Sequence, residues 1–163
     1  MPQGRKIRSY DYVNHPYAEV RDALRADPNS VFQAATKAAA SRAKSLATEL
    51  HVEAGGLKLA VDVTIVVKEF AESERTGVAG PSTTIRLEWE AVNLPHLFPF
   101  MKAELKLFPL TAKETQLDFS GSYRPPLGVL GRALNAVVGH RIAEGSVQRF
   151  VAEVAEYLRK SMR

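Results

Sequence analysis

The chain has 163 residues, 45% of them hydrophobic, and no cysteine. That is enough for one well-filled core and too little for two comfortable domains, and it excludes disulfide frameworks, thiolate nucleophiles and cysteine-based zinc sites. The formal net charge of +4 is dispersed: Arg5, Lys6 and Arg8 form one small group, Arg159, Lys160 and Arg163 another, and most other bases alternate with acids, without the interleaved aromatics or recognition helix of a nucleic-acid module.

The first dozen residues lack the apolar stretch of a signal peptide, and no run approaches the roughly 18 apolar residues of a membrane span. The expectation is one soluble, cytoplasmic domain over 1–163, with no nucleic-acid partner and no stable membrane insertion. Residues 7–13 read as a first strand, closed by the turn-like Asn14-His15-Pro16. Tyr17, Val20 and Leu24 then recur at helical spacing until Asp27-Pro28, and Asn29 or Ser30 offers a cap for a second helix through Val31, Phe32 and the alanine-rich run beyond. Over Thr48 to Glu53, Leu50 and Val52, alternating with Glu49, His51 and Glu53, suggest a strand, and Ala54-Gly55-Gly56 a hairpin turn.

Leu57, Leu59, Val61, Val63, Ile65 and Val67 occupy every second position, which places one face against a core and the other toward water. The segment 71–82, rich in Glu, Gly, Ser and Pro, reads as a flexible connection. Ile85, Leu87, Trp89 and Ala91 alternate next, followed by Met101, Ala103, Leu105 and Leu107, and then Leu117, Phe119, Gly121 and Tyr123. Consecutive strands with short links pair most simply as an antiparallel meander. After Pro125-Pro126 the period becomes helical: Leu127, Leu130, Leu134 and Val137 or Val138, then Val147, Phe150 or Val151, Val154 and Leu158. Gly128, Gly131 and Gly139 weaken its first part and predict a break or kink before Ile142.

The order strand, two short helices, antiparallel meander, long C-terminal helix resembles the helix-grip fold of the START-related SRPBCC superfamily, which includes lipid-transfer domains, plant allergens and polyketide cyclases. The local pieces that carry the resemblance are the strand-to-helix entry Val13-Asn14-His15-Pro16-Tyr17-Ala18-Glu19-Val20, the approach Gly121-Ser122-Tyr123-Arg124-Pro125-Pro126, and residues 142–158 of the last helix. The resemblance implies an α+β fold in which a curved antiparallel sheet of about six strands wraps the C-terminal helix, with a cavity between the two.

If the alternating residues form the concave face, Val63, Ile65, Trp89, Met101, Leu105, Phe119 and Tyr123 line that cavity, and Leu130, Leu134 and Phe150 close it from the helix. The alternative is that the same side chains interdigitate at ordinary interior density. Among polar groups on the inward register, Asp11, Trp89 and Tyr123 could orient a ligand, or be satisfied by the protein itself. His140 falls on the apolar stripe of the last helix and is a candidate acid or base, or a rim histidine.

No two histidines show an i, i+4 spacing, so no metal site is predicted, and no cofactor. Ser41-Arg42-Ala43-Lys44 matches S-x-x-K without the companion motifs of serine-lysine enzymes. Leu94-Pro95-His96-Leu97-Phe98-Pro99-Phe100 is apolar enough for a lid, a contact surface or a packed hairpin end. The functional expectation is binding of a hydrophobic small molecule such as a lipid, isoprenoid or polyketide. An alternative is a cyclase, aromatase or dehydratase using the same cavity, and a third is a chaperone-like or interaction domain. The oligomeric state has no signature in the sequence.

Overall fold

Alternation along the first strand is written directly into its burial: Ile7 and Val13 are buried while the even-numbered residues between them face water. In the computed structural model, which describes residues 5–49, 63–73, 80–91, 101–123 and 136–162, this strand, β1, spans Arg5–Val13. It is followed by helices α1 (Tyr17–Ala26) and α2 (Pro28–Glu49), strands β2 (Val63–Ser73), β3 (Ser82–Ala91), β4 (Met101–Thr111) and β5 (Glu114–Tyr123), and helix α3 (Ala136–Ser161). The sheet order is β1-β5-β4-β3-β2, antiparallel at every junction. The meander is as expected, and β1 closes on its last strand.

Asp27 both ends α1 and starts α2. Its carboxylate accepts the Ser30 amide at 3.2 Å, and Pro28, which has no amide to satisfy, opens the helix. The cap is therefore Asp27, where the sequence suggested Asn29 or Ser30. Helix α2 is also longer than expected, because the run of alanines and other good helix formers continues to Glu49 without a glycine or proline. Thr48 and Glu49, read as the start of a strand, are helical. The described residues form five strands; the remainder of the sixth, residues 50–53, and the hairpin turn after it lie outside them, as do residues 57–62.

In β2 the register shifts by one residue between Val67 and Glu69. This bulge at Lys68 reverses the parity, so Phe70, and not Glu69, joins Val67 on the partly buried side, opposite Ile85. The strand then continues through Ala71–Ser73, residues the composition assigned to a connection. Gly80, just before β3, has φ of +60°, a conformation glycine adopts without steric cost. Gly121 has a different role: a Cβ there would stand 2.8 Å from Phe119 Cε1 and 3.3 Å from the Ala103 Cβ, so its bare backbone makes room for the Phe119 ring.

Helix α3 runs without interruption from Ala136 across Gly139 to Ser161. Across Gly139, from Ala136 to Ile142, no break occurs; the earlier part of the stretch in which one was expected, residues 127–135, lies outside the described residues. Its buried stripe, Ala143, Val147, Phe150, Val151, Val154, Ala155 and Leu158, faces the sheet and α2. Arg159 fastens its far end to the edge of the sheet, reaching Asp11 Oδ1 at 3.3 Å and donating to the Tyr12 carbonyl at 2.6 Å. No helix among the described residues is long and apolar enough to cross a membrane.

Candidate functional site

The pairing registers stack the inward side chains in rows across the sheet. One row reads Ile65, Trp89, Met101, Tyr123, Arg5; the next reads Val67, Leu87, Ala103, Gly121, Ile7; the third reads Phe70, Ile85, Leu105, Phe119, Ser9. Burial deepens along this series. At the centre of the sheet Ile85, Leu105 and Phe119 of the third row are wholly buried, whereas in the first Met101 is half-buried between the buried Trp89 and Tyr123; at the margins Ile65, Phe70 and Ser9 are all half-buried and Arg5 is exposed. Exposure changes in the same sense along α3, where His140 is half-buried and Phe150, three turns on, is buried. Among the described residues, the end of the grip nearest the first row is therefore the less buried, and in that sense the less filled, end.

Behind that row the layer between sheet and helix is solid. Phe150 of α3 meets Trp89 edge-on at a centroid distance of 4.9 Å, Phe119 at 5.9 Å and Phe32 of α2 at 6.1 Å. Trp89 and Phe119 are 5.7 Å apart. The Trp89 indole N–H donates to Thr36 Oγ1 at 3.1 Å, a buried bond that satisfies the one polar atom the ring carries inward. Trp89, Phe119, Phe150 and Leu105 thus touch one another or the surrounding core. The described side chains left at the less filled end are Ile65, Met101, Tyr123 and His140.

The polar chemistry of that end is one hydrogen-bonded chain. Tyr123 lies 3% exposed with its hydroxyl 3.0 Å from His140 Nδ1, and His140 Nε2 lies 3.5 Å from Glu144 Oε2, one helical turn further on. A carboxylate only accepts, so the tautomer of a neutral imidazole that satisfies both contacts has its proton on Nε2, with Nδ1 accepting from the phenol. Burial raises the Tyr123 pKa above its ordinary value, the Glu144 charge adds to the rise, and Arg5 pulls the other way. The phenol consequently stays a proton donor throughout the neutral range.

Other residues singled out from the sequence are placed elsewhere. Asp11 is inward in register but sits at the opposite end of β1, held by Arg159. His15 lies at the turn after β1, 3.7 Å from Glu19, and its carbonyl accepts from Thr115 Oγ1 at 2.8 Å. Ser41 is exposed on α2. The side chain of Val63, the residues Leu130 and Leu134, the apolar segment 94–100, and His51 fall outside the described residues. Among those described, no three His, Asp or Glu side chains converge as metal ligands would.

Sequence reasoning missed Glu144, Arg5 and Thr36. The first was legible as the i+4 neighbour of His140 and the second by its parity with Ile7. Nothing local links Thr36 to Trp89.

The strand order, the helix pair after β1 and the last helix laid across the concave face define a helix-grip fold, the START-like architecture that the sequence resembles. Among solved structures the chain is similar to a protein from Thermus thermophilus, at 12% identity and a TM-score of 0.52 over 98% of this chain and 100% of that one. It is also similar to a conserved protein from Geobacillus kaustophilus, at 14% identity and a TM-score of 0.50 over 94% and 95%, and to a START superfamily protein from Mycobacterium smegmatis, at 10% and 0.48 over 97% and 99%. At such identities the likeness to the Thermus and Geobacillus proteins speaks for the fold and not for ligand or reaction. No protein-family model and no curated protein matches the sequence.

Proposed function

We propose that the chain binds a hydrophobic small molecule, of lipid, isoprenoid or polyketide type, at the less filled end of the grip. The apolar body lies against Ile65, Met101 and the exposed edge of Trp89, above the Ala103 and Gly121 level, and the ligand's one polar group meets Tyr123 and His140. The observation that carries this reading is the coincidence, on one row of the sheet, of half-buried apolar side chains with a hydrogen-bonded Tyr-His pair. Removing about 300 Å² of apolar ligand surface from water contributes about 7.5 kcal/mol before the cost of association, and one or two polar contacts set orientation.

The test is native mass spectrometry of the purified chain, with denaturing extraction to identify any adduct and titration of an apolar fluorescent probe. A bound apolar species, lost in Met101→Glu and retained with lower affinity in Tyr123→Phe, is the expected result. A clean mass together with no saturable uptake of the probe refutes the reading.

A second reading is favoured by the Tyr123-His140-Glu144 chain. In an enzyme of the cyclase, aromatase or dehydratase kind, the neutral phenol would give its proton to a carbonyl or departing hydroxyl oxygen of the substrate. For that transfer the phenol's hydrogen bond to Nδ1 would yield to the substrate oxygen, and the phenolate left behind would be reprotonated from solvent through Nδ1, which must itself first take up that proton, its other nitrogen being held by Glu144. The two readings separate on one variant: His140→Gln abolishes conversion of an extracted ligand in an enzyme, and only alters affinity in a carrier.

A further inference from the structure

Among the described residues, β1 borders the sheet with β5 as its strand partner. Tyr12 reveals which backbone groups of β1 face the open side. Its amide donates to Asp11 Oδ1 at 2.7 Å and its carbonyl accepts from Arg159 at 2.6 Å, so its amide is not spent on Gln116 opposite. In an antiparallel pair, residues alternate between those whose N–H and C=O both face the partner strand and those whose groups both face away. Lys6, Arg8 and Tyr10 share the phase of Tyr12 and turn theirs to the edge.

The side chains of the same residues stand on the convex face. Tyr10 is 71% and Tyr12 48% exposed, and the Arg8 side chain is 73% exposed, 3.4 Å from Asp118. The ladder beside this face is engaged at Tyr12 by Asp11 and Arg159, and two exposed rings next to two bases make it an unusual edge, since edge strands are ordinarily blunted by charged side chains or proline.

We propose that β1 pairs antiparallel with β1 of a second copy, about a two-fold axis at Ser9, so that one sheet runs through both. In that register Arg8 lies opposite Tyr10 of the second copy and Lys6 opposite Tyr12, each contact occurring twice by symmetry, and Tyr12 exchanges its amide bond to Asp11 and its carbonyl bond from Arg159 for the ladder. Every base then meets a ring face and no base meets another. Asp118, beside Arg8, holds the guanidinium along the convex face. On the concave side Ser9 meets Ser9, and Ile7 meets Asp11, whose charge Arg159 already balances. Centring the pairing on Arg8 sets like charges together, and centring it on Tyr10 leaves Lys6 opposite Asn14, so the register at Ser9 is the one that gives both Lys6 and Arg8 a ring. The complementarity is to β1 itself, which is why the partner is a second copy and not a foreign strand.

Sedimentation velocity across a concentration series tests this with the wild-type chain and two variants at the exposed Tyr10, their fold checked by circular dichroism. The wild type is expected to dimerise. Tyr10→Arg opposes a guanidinium to Arg8 and weakens the dimer about tenfold or more. Tyr10→Glu opposes a carboxylate to Arg8 and preserves the dimer, now with greater salt sensitivity. A wild type that is monomeric at every concentration overturns the proposal, including one whose edge takes up an extended peptide. So does a dimer equally tight in both variants, or one lost equally in both.

Discussion

Phe150→Ala distinguishes a solid aromatic layer from a ring that overlooks an open cavity. The side chain is 2% exposed and its ring meets Trp89, Phe119 and Phe32 within 6.1 Å. Truncating such a ring costs about 3–5 kcal/mol in lost transfer energy and residual cavity, a large part of the roughly 5–15 kcal/mol that holds a domain folded. For a chain of this length each kcal/mol moves the midpoint by about 2–4 °C, so a fall of roughly 10 °C is expected. Urea denaturation should show a lower midpoint at an unchanged slope, as befits a change in stability alone. A loss below about 1.5 kcal/mol would refute the reasoning, because it would mean that the ring already faces empty space on the side assigned to its neighbours. The same packing explains why Met101 and Tyr123, rather than Trp89 or Phe119, are the positions at which ligand binding is best tested: substitutions in the ring cluster would change stability together with affinity.

Thr36→Val removes the acceptor of the Trp89 indole and leaves a buried donor unpaired, at a cost of about 1–3 kcal/mol, whereas Thr36→Ser keeps the hydroxyl and most of the stability. Fluorescence reads both variants directly, since Trp89 is the single tryptophan. Burial raises the folded-state pKa of Tyr123, so its contribution is complete below the unfolded value of about 10 and fades as pH climbs through the higher folded value. Ultraviolet titration should find one late-ionising tyrosine, missing in Tyr123→Phe; simultaneous ionisation of all five tyrosines would refute its burial. The Asp27 pKa is lowered by hydrogen bonds from the Ser30 hydroxyl and amide. Its stabilisation of α2 is therefore present above the ordinary carboxylate value and disappears as pH falls through the lower folded value. Asp27→Ala should remove that acid-side dependence in circular dichroism, and an unchanged pH profile would show that the cap is not formed in solution.

How far the sequence could be read depended on whether each signal was local. Trp89, Met101 and Tyr123 announced their inward register by alternation, a property of the pleat that needs no partner. Asp27 was misassigned because several capping side chains stand in succession at 27, 29 and 30, and only the geometry of the chain selects among them. Phe70 was hidden because a one-residue bulge reverses parity without leaving a mark in composition. The hydrogen-bonded chain was half legible: Tyr123 and His140 could each be suspected, but their contact joins β5 to α3, a pairing that the period of neither element specifies.

The sequence by itself determined the order and period of the elements, the sign of each face, and thereby the helix-grip architecture, because these follow from pleat, helical pitch and the burial of apolar side chains. Tertiary structure alone decided that Ile65, Trp89, Met101, Tyr123 and Arg5 share one row, that the rings of Phe32, Phe119 and Phe150 pack with Trp89 behind it, and that Thr36 satisfies the indole within. The physical reason is that register and packing are set by shape complementarity between residues far apart in the chain, a quantity carried by pairs of segments and by neither segment alone.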